Sequence, residues 1–120
     1  ASKIIEMVPS IEKVRMVSFK NSSDYLREIE QDINEGCDAV IVKPALSYLD
    51  VISKVKDRFS IPIIGYCVSG VYSMIKSASK ENLIEEIDVT MEILFSIKRA
   101  GATAIITYSA IEIARKLNKE

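Results

Sequence analysis

Four short apolar runs, none of them alternating, constrain this chain more than any other feature. Val14 to Phe19, Ala39 to Val42, Ile61 to Val68 and Ala104 to Thr107 are rich in β-branched residues. A strand with one wet face alternates polar and apolar side chains, whereas a strand covered on both faces does not, and such strands belong to parallel sheets. The segments between the runs carry a helical period instead. Leu26, Ile29 and Ile33 share one helix face, as do Tyr48, Ile52, Val55 and Phe59, and again Ile84, Ile87, Met91, Leu94 and Phe95. A leading helix, four strand-helix units and an extra short helix near Tyr72 to Ser79 predict an α/β protein built on a four-stranded parallel sheet flanked by helices.

Punctuation agrees with that reading. Gly36 and Gly101 stand where helices need a left-handed residue to end, and Lys98 with Arg99 falls in the last turn before Gly101, favourable to the helix dipole. Ser22, Ser23 or Asp24 can cap the second helix, and Ser47 with Asp50 three residues later the third. No linker or low-complexity stretch interrupts the chain, so residues 1–120 are expected to form one domain. That length supports a real core but falls short of a full eight-stranded βα barrel.

Composition narrows the chemistry. Sixteen basic and seventeen acidic residues are scattered without blocks, and the net charge of −1 gives nucleic acid or an acidic membrane nothing to recognise. No apolar run approaches the roughly 18 residues of a membrane span and no signal-peptide pattern opens the chain, which predicts a cytoplasmic protein. There is no histidine, and the two cysteines, Cys37 and Cys67, lack a CxxC partner. They read as small buried hydrophobes, and neither a metal nor another cofactor is expected. Without histidine there is no Ser-His or Cys-His pair, so any catalysis must use Lys, Tyr, Ser or carboxylates.

Lys43 is the candidate. It follows the run Ala39 to Val42 and precedes Pro44, which puts one amine at the end of an apolar strand. A lysine delivered into an apolar pocket can be partly neutral, and only a neutral amine attacks a carbonyl. The bland alternative is that Lys43 marks the point where the strand reaches water. An internal echo bears on the choice: residues 36–45 line up with residues 101–110, so that Lys43 and Tyr108 are expected at equivalent strand ends. Ser69 and Gly70 follow the strand between them. In parallel α/β folds that rim, at the carboxyl ends of the strands, is where ligands bind.

The phrases around these residues are specific. Asp38 to Asp50, Tyr66 to Lys76 with its VSG and Tyr72, and Ser96 to Tyr108 with its RAGA and IITY resemble porphobilinogen synthase, the 5-aminolevulinate dehydratase of tetrapyrrole synthesis. The resemblance runs from about Tyr25 to Leu117 and covers the C-terminal third of that family's barrel. It implies that Lys43 matches the lysine forming a Schiff base with the first 5-aminolevulinate, that Ser69 and Tyr108 match the groups holding its propionate, and that Tyr66 lines the same pocket. Hydroxyl donors fix a carboxylate without a competing cation, which suits those residue types.

The departures from the family matter equally. Its other catalytic lysine, cysteine-rich zinc segment and lid have no counterpart here, Val71 stands where Glu is usual, and Lys116 where Trp is common. The resemblance therefore implies a piece of that lyase, inactive alone and at most binding one 5-aminolevulinate. Residues 1–20 instead resemble the helix and strand preceding the NSGTEA segment of glutamate-1-semialdehyde aminotransferase, which implies a chimera joined ahead of residue 25. A recombined or engineered scaffold without catalytic function is the competing reading. Two architectures compete as well. Four units can curve into a half-barrel, two copies closing as a homodimer, or form a flat doubly wound, flavodoxin-like sheet with helices on both faces; the doubly wound sheet is favoured, because an inserted first strand can pair inside it.

Overall fold

The computed structural model describes residues 14–17 and 24–119. The helix expected ahead of the first strand, and most of the aminotransferase-like segment, lie outside the described residues. Strand β1 (Val14–Val17) is followed by α1 (Asp24–Asn34), β2 (Ala39–Val42), a 3-10 turn (Leu46–Tyr48), α2 (Leu49–Arg58), β3 (Ile63–Tyr66), α3 (Ser69–Lys80), α4 (Glu86–Ala100), β4 (Ala104–Ile106) and α5 (Ala110–Asn118).

All pairings are parallel and the strand order is β1-β2-β3-β4. Each strand is laid beside the last in the same direction, and right-handed crossovers in an unreversed order return their helices to one face. The core follows that rule. Val40 and Val42 of β2 and Ile63 of β3 pack with Tyr25 and Ile29 of α1, Ile52 and Val55 of α2 and Ile97 of α4. Each such side chain contributes about 1.5–3 kcal/mol on leaving water. The opposite face gathers Ala39, Ile64 and Ile106, with Ile41, Tyr66 and Ala104 against them. The doubly wound arrangement favoured from the sequence is therefore not the order found, since it needs a reversal that sends helices to both faces. Periodicity states which faces of an element are buried; it does not state which sheet edge the next strand joins.

Two glycines shape the outer layer. A Cβ at Gly65 in β3 would sit 2.6 Å from Cγ2 of Ile97 and 3.3 Å from Cβ of Ala45, so the missing side chain lets α4 settle close to the sheet. Gly101 ends α4 with φ at 131°, its N–H donating to the carbonyls of Ile97 and Lys98, and a side chain there would run into Lys56. Gly36 likewise has a positive φ of 95° after α1, as the sequence predicted.

Local boundaries differ from expectation in three places. The third strand is confined to Ile63–Tyr66 instead of running from Ile61 to Val68. The extra helix is longer than Tyr72 to Ser79, occupying Ser69–Lys80, and it is separated from α4 by a turn in which Asn82 takes a left-handed φ of 58°. The Ser47 cap does not form, because the 3-10 turn places Tyr48 at the N-cap of α2 without a side-chain hydrogen bond.

Candidate substrate site at the carboxyl rim

Strand alternation decides where Lys43 points. Ala39 and Ile41 belong to the inner face, opposite the helices, and Lys43 continues that parity immediately after β2 ends. Val42 pairs with Gly65, so the next residue on each strand brings Lys43 level with Tyr66. The lysine Nζ lies 4.7 Å from the centroid of the Tyr66 ring. An ammonium over an aromatic face gains about 0.5–1 kcal/mol at a partly exposed site. The backbone fixes both partners: the N–H of Ala45 donates to the Tyr66 carbonyl at 2.9 Å, just beyond the cis Lys43-Pro44 peptide. On the other side of β3, the N–H of Cys67 donates to the carbonyl of Ile106 at 2.8 Å.

Ser69 and Tyr108 reach the same rim by different routes. Ser69 is the first residue of α3 and is exposed, and a Cβ at neighbouring Gly70 would meet open space. Tyr108 is 61% exposed and lies two residues beyond β4. The echo therefore does not put it level with Lys43: Tyr66 pairs with Ile106, so the stagger between strands carries Tyr108 two residues further out. Its ring instead meets that of Tyr72, with centroids 5.5 Å apart and planes inclined at 44°.

Tyr72, quoted from the sequence only as part of a phrase, joins the candidate site through this contact. Its ring also meets Lys76, whose Nζ lies 5.3 Å from the centroid and which forms an ion pair with Glu86 of α4. The hydrogen bond to Glu86 raises the Lys76 ammonium above its ordinary range. Tyr72 and Lys76 stand one helical turn apart, a spacing legible in the sequence once a helix is granted. Behind them Cys67 is buried, and that burial pushes its thiol up to about 11. Neither cysteine is in a disulfide, and Cys37 is half-buried with its Sγ donating to the Ala39 carbonyl at 2.8 Å.

Two further observations bound the site. Among the described residues, no three His, Cys, Asp or Glu side chains converge as metal ligands. An apolar groove of about 410 Å³ runs between α4 and α5 over β4, and it contains none of Lys43, Tyr66, Ser69 and Tyr108.

Among the described residues, a parallel sheet laid down in chain order, with helices packed on one face and an amine beside a ring at the carboxyl rim of the other, has the build of a βα-barrel wall. A family profile for delta-aminolevulinic acid dehydratase matches residues 12–116, β1 included, and the chain belongs to that family. It is 52% identical over 99 residues to the delta-aminolevulinic acid dehydratase of Staphylococcus aureus strain Mu50, covering 82% of this chain and 31% of that protein. The enzyme of Staphylococcus epidermidis matches at the same identity and coverage. The crystal structure of delta-aminolevulinic acid dehydratase (porphobilinogen synthase) from Toxoplasma gondii ME49, in complex with the reaction product porphobilinogen, superimposes with a TM-score of 0.79 at 43% identity, over 83% of this chain and 28% of that one. The chain thus spans about a third of the length of the relatives it matches. Among the described residues, no helix is long and apolar enough to cross a membrane.

Proposed function

We propose that this chain is a porphobilinogen-synthase-derived half-barrel that binds one 5-aminolevulinate as an imine on Lys43 and does not by itself condense two. The observation that carries the reading is the position of Lys43 Nζ, on the inner face at the carboxyl rim and 4.7 Å from the Tyr66 ring centroid. The lysine amine adds to the ketone carbon, and water leaves as the imine forms. Tyr66 walls the adduct, while the hydroxyls of Ser69 and Tyr108 accept the role of holding the carboxylate, Tyr108 being steadied by Tyr72. Membership of the family and the product-bound relative support a ligand from tetrapyrrole synthesis. Turnover is a different matter, because condensation needs a second activated substrate and Lys43 supplies one amine per chain.

Borohydride reduction in the presence of 5-aminolevulinate, followed by peptide mass spectrometry, tests the reading. The expected result is a reduced adduct on the peptide containing Lys43, absent from Lys43→Met. An unmodified Lys43, or equal labelling of every exposed lysine, would leave a scaffold with a strand-end lysine.

A further inference from the structure

We propose that the ion pair between Lys76 and Glu86 is a positioning device for the carboxylate end of the candidate site: it holds a cation over the Tyr72 ring, and Tyr72 in turn fixes the side chain of Tyr108. Positioning of this kind rests on the reading of Tyr108 given above, and it extends the site to two charged residues that do not touch the ligand.

Tyr108 needs such help. The backbone around it is pinned, because the N–H of Ser109 donates to Oγ1 of Thr107 at 3.2 Å and the N–H of Ala110 to the Thr107 carbonyl at 3.4 Å. The Tyr108 side chain is mostly exposed, so that order does not reach the hydroxyl at its tip. A hydroxyl free to turn loses rotamer freedom each time it holds a ligand, whereas one fixed in advance does not. The contact that fixes it is the Tyr72 ring, at a centroid separation suited to an aromatic pair.

Tyr72 requires a support of its own. No residue of α3 is fully buried, so the core alone does not lock that helix. Its neighbour α4 is anchored, by Ile97 at 0% exposure and by the close approach over Gly65. Glu86 opens α4, where the helix dipole favours a carboxylate, and Glu85 beside it caps the helix by accepting from the Ile87 N–H at 3.3 Å. Lys76 reaches Glu86 from α3, one turn beyond Tyr72, with its Nζ over the Tyr72 ring. One ammonium thus serves a carboxylate and a ring face together, and Glu112 of α5 adds to the negative field around it. Order passes from the packed α4 through Glu86, Lys76 and Tyr72 to the ring of Tyr108.

Two probes test this on the full chain: 4-oxopentanoate, the keto acid that lacks the amine of 5-aminolevulinate, and its methyl ester. They share a ketone, and only the acid offers a carboxylate. Their affinities, read by amide NMR titration at residues 107–110, give an acid-to-ester ratio that measures carboxylate recognition without requiring an imine. Glu86→Gln and Lys76→Met are each expected to lower the ratio about twofold to fivefold, the size of a lost cation–π contact, with the affinity for the ester unchanged. Lys76→Arg keeps both the pair and the cation and should restore the ratio. In a Tyr108→Phe background neither loss should lower it further. Equal losses for acid and ester, or an unchanged ratio in either variant, overturn the proposal. So does a parent ratio of one, which leaves no carboxylate site for the stack to serve. Borohydride trapping on the same samples reports the imine separately: a preference for the acid that responds to Glu86→Gln without an adduct on Lys43 keeps the positioning device and removes the imine.

Discussion

The two faces of the sheet divide the labour of this molecule. On the outer face, Val40, Val42 and Ile63 lock against α1, α2 and α4, and Gly65 gives up its side chain so that Ile97 can approach. On the inner face the same strands present a smaller apolar cluster that gives way, at the carboxyl rim, to an amine and a phenol. Alternation along a strand makes this possible, because neighbouring residues answer to different neighbours. The outer face carries most of the packing, and the inner face carries the candidate amine.

Mutations can break or sharpen that division. The largest expected effect is on the outer face, where Ile52→Ala or Ile97→Ala should cost about 2–5 kcal/mol in urea unfolding. Ile106→Ala, on the inner face in the edge strand, should cost about 1–2 kcal/mol by the same measurement. Equal losses would refute the division. Gly65→Ala tests the close approach, and an added methyl meeting Ile97 at 2.6 Å should destabilise by about 1–3 kcal/mol. Gly101→Ala asks a β-carbon to tolerate a φ of 131° against Lys56, for a loss of about 1–2 kcal/mol.

Thiol chemistry separates buried from half-buried positions without altering the fold. At pH 8 a disulfide reagent should label Cys37 in the native protein and Cys67 only after denaturation. The native Cys67 thiol titrates at about 11 against an ordinary 9.0, so its folded value is raised. Its neutral form is favoured by the fold, and its contribution to stability is complete below the unfolded value. It is lost as pH rises from about 9 toward 11, and Cys67→Ala should flatten that part of the stability profile. The smallest stability change belongs to Lys43→Met, expected within about 0.5 kcal/mol of the parent while abolishing adduct formation. A large loss of stability there would place Lys43 in the packing and remove it from the chemistry.

Much of this was legible in the sequence, and the limits have physical causes. The continuous runs of β2 and β4 announced buried parallel strands, and Gly36 and Gly101 announced the ends of α1 and α4, because both depend on local preference. Lys43 and Tyr66 were legible as candidates because their phrases are specific, and the structure places the amine beside the ring. Strand order was not legible: a buried run looks the same in either order. Nor was the Tyr72 contact that holds Tyr108, since it depends on where α3 starts and on a two-residue stagger between strands. Asn82 takes a left-handed φ that asparagine tolerates better than most residues, a helix break the sequence reading passed over.

The partner chosen for Lys43 has a consequence of its own. A lysine held by a carboxylate cannot give up its charge without stranding an anion, and the cost of that orphan opposes every step that makes the amine neutral. Among the described residues, Lys43 leans on a neutral ring. Loss of the charge there forfeits only the cation–π attraction, about 0.5–1 kcal/mol, and strands no anion. The pairing holds the nitrogen in place while leaving its valence free to change.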